Sequence, residues 1–359
     1  MFVAAHLAAH VWGGAERAVT LLLRGLQSRG ARVHLYCNDR KVADRAGALG
    51  VPTSIAALGG DVAVHDAIRF SYVLRRDKPD ALIVGTFKKM WLAALAARLA
   101  GVPHTVARIG LQTDTPRNVK YRAVMSRWVD TIVLTADATR DTYRRLLPSF
   151  VAERLVTIPT GVIPPLVTHT RDGVRDELGV PRHARVIGAV ARLAKQKRFD
   201  RLLEAMVELP PDVYCVVAGE GNALGPLENL ARTLGIDTRV HFAGRREDVG
   251  NILTALDLFV ISSDKEGLSN AMLEALSLGV PVVSTDVSGA REALEPMRDG
   301  TAPGEIVPFE PKALAAAIRR ILDDPSLRAR MSQAAARRAR ERFDFDRMLD
   351  EWERVLRMT

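Results

Sequence analysis

The sequence predicts an α/β protein made of two Rossmann-like domains. Short apolar runs alternate with helical patterns through both halves of the chain, which is typical of βαβ units and parallel sheets. The alternation lapses once, at Pro159-Thr160-Gly161-Val162-Ile163-Pro164-Pro165, which indicates a domain boundary. The length of 359 residues and the hydrophobic content of 48% are sufficient for two cores.

The first half contains six strand-like runs. The opening residues lack the basic segment of a signal peptide and soon reach Gly13 and Gly14, so they predict a first strand. The other runs lie at 33–37, 81–84, 104–107, 131–134 and 155–158. Their alternation with helical patterns predicts a parallel sheet.

A second series of apolar runs follows the proline-rich segment, at 186–190, 213–218, 240–243, 258–261 and 282–284. Residues 329–358 have a helical pattern with a break near Phe343 and Asp344. We therefore predict domains at 1–163 and 164–342 and a final helical segment at 343–359. Open parallel sheets bind ligands beyond the carboxyl ends of their strands, so two facing sheets leave a cleft for a ligand.

Composition and charge narrow the class of protein. Cys37 and Cys215 show no disulfide or metal spacing, and no apolar run is long enough to span a membrane, so we expect a cytoplasmic globular protein. Residues 1–163 contain 23 Lys and Arg against 12 Asp and Glu (+11), whereas residues 164–359 contain 28 against 30 (−2). This asymmetry indicates an anionic partner for the first half, or an ordinary solvated basic surface.

Residues 261–285 form the most informative segment of the chain. They predict a strand, a loop with Glu266 and Gly267, a helix that begins near Ser269 or Asn270, and a second buried strand. Free amides in the first turn of a helix suit a phosphate, whereas carboxylates such as Glu266 and Glu274 suit the hydroxyls of a sugar. A nucleotide sugar offers both groups.

The run from Glu266 to Ala275 resembles the segment E-G-x-x-N-x-x-L-E-A of the retaining glycosyltransferases of family 4. The resemblance implies the GT-B fold, in which the N-terminal domain (1–163) binds the acceptor, the C-terminal domain (164–342) binds the donor, and the last helix (343–359) crosses back to the N-terminal domain. It also implies that Glu274 binds the ribose, that Glu266 binds the transferred sugar, and that the amides of Gly267, Leu268 and Ser269 hold the diphosphate and sugar.

The segment from Val190 to Lys197 resembles G-R-L-x-x-x-K-G of the same family, in which the basic side chains grip the donor diphosphate. Arg192 and Lys197 match by spacing, and cations stabilise a departing diphosphate. The chain departs from the pattern twice, because Ala191 and Arg198 replace the two glycines.

Glycine motifs in both halves add further candidate residues. Gly219 lies in the run 216–221, which does not match the dinucleotide-binding fingerprint, because Leu224 stands where the fingerprint needs its third glycine. The run resembles instead the G-x-G that follows a strand in the family. Gly244 and Arg245 occupy the segment that borders the nucleotide base in the family. Gly13 and Gly14 begin a G-G-A-E-R segment, which implies a glycine loop that opens a helix at the cleft.

Candidate acceptor residues lie in the basic half. Arg108 occupies the position at which the family often has a histidine, and with Lys88 it predicts a site for an anionic acceptor; His10 is a further candidate because it precedes the glycine loop. The stretch 117–128 places apolar side chains at i, i+3, i+4 and i+7 between cations. This pattern fits a helix on an anionic membrane and equally a helix packed on the sheet.

These observations predict a metal-independent retaining glycosyltransferase that moves a sugar from a nucleoside diphosphate, preferably UDP, to an envelope glycan, a lipid-linked acceptor or another glycan. We expect no Asp-x-Asp metal motif in the chain, which argues against a required divalent ion, and we expect no cofactor and no nucleic acid partner. A peripheral location on the inner face of the plasma membrane is a variant of the cytoplasmic prediction. The alternatives are a GT-B nucleotide-sugar epimerase and a non-catalytic nucleotide-sugar-binding subunit.

Overall fold

The computed structural model describes residues 1–60, 63–110 and 118–357, with the backbone alone at Lys88 and Ala138. Within this range the chain forms two compact units. One comprises Met1–Thr160 together with the residues from Phe345 onward, and the other comprises Gly161–Asp344. The observed division after Thr160 lies three residues before the predicted boundary at 163.

The first unit is built on a parallel sheet of seven strands in the order β3-β2-β1-β4-β5-β6-β7. Its strands are β1 (Phe2–Leu7), β2 (Arg32–Cys37), β3 (Thr53–Ile55), β4 (Ala81–Val84), β5 (His104–Ile109), β6 (Thr131–Leu134) and β7 (Leu155–Thr157). Its helices are α1 (Gly14–Ser28), α2 (Arg40–Ala48), α3 (Val64–Asp77), α4 (Met90–Ala100), α5 (Val119–Arg127), α6 (Arg140–Leu146), α7 (Ser149–Ala152) and, from the end of the chain, α16 (Phe345–Arg357).

The second unit contains a parallel sheet of six strands in the order β10-β9-β8-β11-β12-β13. Its strands are β8 (Arg185–Val190), β9 (Val213–Ala218), β10 (Val240–Gly244), β11 (Leu258–Ile261), β12 (Val282–Thr285) and β13 (Gly304–Val307). Its helices are α8 (Arg171–Glu177), α9 (Phe199–Val207), α10 (Leu224–Thr233), α11 (Val249–Ala255), α12 (Asn270–Ser277), α13 (Ser288–Leu294), α14 (Pro311–Asp323) and α15 (Pro325–Arg342).

The central strands are buried and mostly apolar, as expected for sheets with helices on both faces. Every residue of β1, β4 and β5 is buried, as is every residue of β11 and β12. Parallel sheets with two covered faces require such continuous apolar runs. The prediction of two Rossmann-like α/β domains is confirmed.

The C-terminal helix α16 completes the first unit. It packs on α1 so closely that a Cβ on Gly25 would lie 2.7 Å from both methyl groups of Leu349. Trp352 is buried in the same core, and Arg29 at the end of α1 forms ion pairs with Asp346 and Asp350. The predicted break before this helix is present, because α15 ends at Arg342 and α16 begins at Phe345.

Helix α5 contains most of the apolar stripe predicted for residues 117–128. Val124 and Met125 are buried in the core of the first unit, and Tyr121 and Trp128 pack against that core. The stripe therefore packs on the body of the unit, as in the second of the two alternatives, and the interpretation of this stripe as a membrane-facing surface is wrong. Arg117 lies outside the described residues.

Candidate active site

The order of the second sheet places a topological switch point between β8 and β11, which are neighbours in space but not in sequence. Connections after such strands run in opposite directions and leave a crevice at their carboxyl ends. A small cavity of about 20 Å³ lies at this crevice, and its lining includes Ala191, Lys197, Ser263, Glu266 and Ser269. Residues of the two segments that the sequence predicts for the donor site therefore meet at one place.

Lys197 and Glu266 form an ion pair across this crevice. Lys197 lies in a 3₁₀ turn after β8, and its ammonium donates to Oε2 of Glu266. Ser263 Oγ donates to the same carboxylate oxygen at 3.3 Å. The side chains of Lys197 and Glu266 are 15% and 16% exposed. The pair thus combines a largely desolvated cation with a largely desolvated carboxylate.

Two further bonds join the loops that carry this pair. Ser262 Oγ donates to the carbonyl of Lys197 at 3.0 Å, and the amide of Asp264 donates to the carbonyl of Gln196 at 3.0 Å. The backbone on both sides of the pair is therefore fixed. Arg192, which follows β8, is exposed, and within the described part of the chain its side chain forms no ion pair. It remains available to an anionic ligand.

Arg198 explains one departure from the family pattern. Its φ of 50° and ψ of 45° place it in the left-handed region, where a side chain is strained and glycine is not. Its guanidinium forms ion pairs with Asp200 and Asp264, which compensate for part of this strain. This position adopts a left-handed backbone conformation, which the chain forms with an arginine instead of the family's glycine.

Gly219 is required by a close approach between two backbone segments. A Cβ at this position would lie 1.9 Å from the carbonyl oxygen of Ala191, so no other residue fits. The amide of Gly219 donates to the carbonyl of Gly244 at 2.7 Å, and Gly244 has a φ of 64°. Arg245 forms ion pairs with Glu220 and Glu247 at the surface. The glycines thus bring the ends of β8, β9 and β10 together, whereas the role of Arg245 at the base stays a prediction.

Helix α12 begins as the sequence predicts. Ser269 is its N-cap, with Oγ accepting from the amide of Met272 at 3.4 Å. Glu274 is buried one turn into the helix. Its contact with the ribose of a nucleotide stays a prediction.

Two residues that the sequence singled out only as part of the segment 285–292, without a role, hold the Glu266–Ser269 loop. Ser288 Oγ donates to the carbonyl of Glu266 at 2.8 Å. Gly289 approaches the Gly267 peptide so closely that a Cβ would lie 2.1 Å from the Gly267 oxygen. The sequence feature that could have indicated their role is the Ser288-Gly289 pair at the start of α13. This pair has the composition of a loop but lies at a helix N-terminus.

The first unit places its candidate residues at the carboxyl edge of its own sheet. Gly13 is the N-cap of α1, and Gly14 is its first residue. His10 is exposed and lies 3.6 Å from Asp39. The loop after β1 is tied to the loop after β4 by a bond from the amide of Ala8 to Thr86 Oγ1 at 3.0 Å. The side chain of Lys88 lies outside the described residues.

Arg108 is the most unusual cation of the first unit. Only 7% of it is exposed, and its Nη2 donates to Thr160 Oγ1 over a long 3.4 Å. Within the described residues no carboxylate lies within 4 Å of it. Burial lowers the pKa of Arg108 to about 10, and the more distant carboxylate of Glu16 acts in the opposite direction. A buried cation without a close counter-ion favours the binding of an anion.

One Asp-x-Asp sequence does occur in the chain, outside the candidate site. Asp344-Phe345-Asp346 spans the start of α16, where Asp346 accepts from Arg29 Nη2 at 3.0 Å and Asp344 pairs with Val162 in an isolated bridge. Both aspartates thus have structural contacts. Within the described residues no cluster of three potential metal ligands is present.

Comparison with known families identifies the chain. The family described as Glycosyltransferase Family 4 matches residues 12–164, and the family described as Glycosyl transferases group 1 matches residues 170–338. The two matches together account for most of both units. The chain belongs to glycosyltransferase family 4.

Individual relatives of this glycosyltransferase agree with the assignment. The lipopolysaccharide core biosynthesis glycosyltransferase LpsE of Rhizobium meliloti (strain 1021) is 38% identical over 159 residues, which are 44% of this chain and 46% of LpsE. The UDP-Gal:alpha-D-GlcNAc-diphosphoundecaprenol alpha-1,3-galactosyltransferase of Escherichia coli is 28% identical over 68% of each chain. The match thus spans less than half the length of LpsE and about two thirds of the galactosyltransferase.

Solved structures show the same fold over the whole chain. HepE of Anabaena in complex with UDP superposes with a TM-score of 0.86, with 20% identity and 99% of both chains covered. WaaG, a glycosyltransferase involved in lipopolysaccharide biosynthesis, has a TM-score of 0.74 with 19% identity over 99% of this chain and 100% of WaaG. The fold is therefore GT-B.

Proposed function

We propose that this glycosyltransferase transfers a sugar from a UDP-sugar to a glycan or lipid-linked acceptor with retention of the anomeric configuration and without a metal ion. The observation that carries the proposal is the Lys197–Glu266 pair at the switch point of the second sheet. The pair supports the proposal because a cation, which suits a phosphate, lies beside a carboxylate, which suits the hydroxyls of a sugar. A sugar joined to a diphosphate presents both partners at adjacent positions.

Each site residue has a role in this proposal. Lys197 and Arg192 bind the diphosphate and stabilise the negative charge that develops on UDP as the bond from its β-phosphate oxygen to the anomeric carbon breaks. Glu266 orients the sugar through its hydroxyls, and Glu274 accepts hydrogen bonds from the ribose. In front-face substitution the departing phosphate takes the proton of the acceptor hydroxyl as the new glycosidic bond forms on the same face.

UDP is the proposed carrier for two reasons. HepE, which shares the fold, is described in complexes with UDP and with UDP-glucose, and the Escherichia coli relative is named for a UDP-galactose donor. Both points support the proposal without defining the sugar.

The proposed acceptor is anionic and belongs to the cell envelope. LpsE is named for lipopolysaccharide core biosynthesis, and the galactosyltransferase is named for a diphosphoundecaprenol acceptor. Arg108, which is buried without a close carboxylate in the described residues, supports an acceptor that carries a phosphate or carboxylate. The acceptor role of the first unit follows from the family resemblance.

A panel of UDP-sugars incubated with purified protein tests the function. Slow hydrolysis of one donor, unchanged by EDTA, supports transfer, and NMR of the glycosylated product should show the anomeric configuration of the donor. An inverted product or loss of activity in EDTA would contradict the corresponding part of the proposal. Interconversion of the sugar would indicate an epimerase, and binding without turnover would indicate a non-catalytic subunit.

A further inference from the structure

Arg201 is a buried cation beside the candidate site to which the proposed function assigns no role. It is 4% exposed and lies in the first turn of α9, four positions after Lys197. A guanidinium is costly to bury unless protein groups replace the water that it loses. The groups that pair with Arg201 therefore indicate why it is buried here.

The guanidinium of Arg201 joins α9 to the loop after β11. Nη1 donates to the carbonyl of Ser262, and Nη2 donates to Oδ1 of Asp264 at 2.7 Å. Ser262 follows the last residue of β11, and Asp264 lies two residues before Glu266. Because a guanidinium is planar and its donors are fixed relative to one another, one side chain sets both acceptors at once. Arg201 thus ties the loop that carries Glu266 to the helix that follows Lys197.

The loop that carries Glu266 is held between two packed elements, and Arg201 supplies one of the two contacts. On one side Thr285 Oγ1, at the end of β12, donates to the carbonyl of Ser263 at 2.7 Å. On the other side Arg201 reaches from α9, which is packed in the core of the second unit. The buried residues of α9 in that core are Phe199, Leu202, Leu203, Ala205 and Met206. The 3₁₀ turn Lys195–Lys197 has no buried residue of its own, so the loop and α9 fix its place.

We propose that Arg201 is a positioning residue of the donor site, which sets the place of Glu266 relative to Lys197 and so aligns the sugar with the diphosphate. The inference rests on the proposed function, because it assigns Arg201 to the site that binds the UDP-sugar. Arg201 acts through the pair and not on the ligand, since it is buried and both of its terminal nitrogens are engaged by the loop. A misplacement of about 1 Å in a positioned group can cost about a hundredfold in rate.

Kinetics of UDP-sugar hydrolysis and isothermal titration with UDP test this role in Arg201→Lys. Lysine keeps the charge but cannot hold two acceptors in one plane. The turnover number should fall about tenfold, because Glu266 no longer orients the sugar. UDP alone should bind no more weakly than to wild type, since Lys197 is kept and the carboxylate that competes for it is held less firmly. General destabilisation would not separate turnover from UDP binding in this way.

Arg175→Lys is the matched control. Arg175 is also 4% exposed, and its guanidinium donates to the carbonyl of Ala184 and to Oδ2 of Asp257, both at 2.9 Å. These acceptors immediately precede β8 and β11 and thus lie at the amino edge of the sheet, opposite the site. The control should unfold at lower urea than wild type, as Arg201→Lys does, but its turnover and UDP binding should be unchanged.

A second substitution keeps the test independent of the buried charge. Arg201→Gln leaves a neutral amide that reaches at most one acceptor and buries no unpaired cation if Arg201→Lys does not fold. It should lower turnover at least as much as Arg201→Lys and retain UDP binding. Circular dichroism and urea unfolding check every variant.

Urea unfolding without ligand tests the connection between Arg201 and Glu266 directly. If Arg201 holds the Glu266 loop in place, the double variant Arg201→Lys/Glu266→Gln should lose less stability than the sum of the two single variants. The double variant Arg175→Lys/Glu266→Gln should lose the full sum, because its two sites are at opposite edges of the sheet.

The proposal would be overturned by unchanged turnover in Arg201→Lys, by an equal loss of turnover in Arg175→Lys, by UDP binding that falls in step with turnover, or by additive losses of stability in the Arg201–Glu266 cycle. Failure of the wild-type protein to bind UDP or to hydrolyse any UDP-sugar would contradict the proposed function instead. The unfolding cycle would still report whether Arg201 positions Glu266.

Discussion

The Lys197–Glu266 pair leads to a prediction in which two substitutions at one contact change UDP binding in opposite directions. In the structure the ammonium of Lys197 is engaged by Glu266, so a diphosphate must compete with that carboxylate for it. Glu266→Gln replaces the charged competitor with a neutral one. Lys197→Ala removes the cation itself.

The magnitudes follow from the burial of the pair. Hydrogen bonds to charged groups contribute about 1.5–3 kcal/mol, and neutral ones about half of that. Glu266→Gln should therefore strengthen UDP binding by about 1 kcal/mol, or roughly fivefold, whereas Lys197→Ala should weaken it by about 2 kcal/mol, or roughly thirtyfold. Transfer should fall in both variants, because the amide introduced by Glu266→Gln would no longer accept sugar hydroxyls as a carboxylate does.

Isothermal titration with UDP alone measures the effects on diphosphate binding without the effects on sugar binding.

Lys197→Ala should also lower the free energy of unfolding by about 2 kcal/mol, since it leaves the Glu266 carboxylate without its cation. This is less than for a fully buried pair, because both side chains retain some exposure. The double variant should lose less stability than the sum of the two single variants. Urea unfolding of all four proteins measures this coupling.

Weaker UDP binding in Glu266→Gln would show that the carboxylate helps to hold the diphosphate site and does not compete for Lys197. Unchanged binding in Lys197→Ala would remove Lys197 from the donor site. Either outcome would refute the competition described above.

Substitutions at three further positions test other parts of the structure. Arg198→Ala should have a free energy of unfolding about 1 kcal/mol lower than that of Arg198→Gly, measured by urea unfolding. Both variants lose the same ion pairs, but only alanine is strained in the left-handed backbone conformation. Equal stabilities would contradict this strain. Glu274→Gln should reduce the preference for UDP over 2′-deoxy-UDP in competition binding, and an unaltered preference would exclude the ribose role. Burial lowers the pKa of His6 to about 4, whereas in the unfolded chain its pKa is near 6.5. The unfolded chain therefore takes up the proton first, and the free energy of unfolding falls by about 3 kcal/mol as the pH drops from 6.5 to 4. His6→Gln keeps a donor for the Ala56 carbonyl and should flatten this fall in urea titrations at pH 6.5 and 4.5, whereas an unchanged slope would assign the acid sensitivity to other groups.

The sequence predicted the central strands well, because strands covered on both faces must be continuously apolar. The runs at 81–84, 131–134, 213–218 and 258–261 agree with β4, β6, β9 and β11 to the residue. The strands that it missed, β3 (Thr53–Ile55) and β13 (Gly304–Val307), lie at the edges of their sheets and are short and partly exposed. Their composition resembles that of a loop, since an edge strand needs less apolar surface.

The site was predictable where it depended on local order and not where it depended on tertiary contact. The start of α12 at Asn270 with a Ser269 cap follows from neighbouring residues. The bond between Lys197 and Glu266 joins residues 69 positions apart, and no local pattern reports it. The stripe on α5 shows the same limit, because amphipathic spacing is identical for a helix that faces lipid and for one that faces a core.

The packing of α16 against Gly25 affects the order in which the protein can fold during its synthesis. The second unit is one continuous segment, whereas the first needs Phe345–Arg357, the last described helix, to cover α1. Domains generally fold on the ribosome in the order in which they emerge. Here the unit that emerges first lacks part of its core until α16 has been synthesised, so the second unit can reach its native state before the first. A chain truncated before residue 345 should leave the ribosome with α1 uncovered.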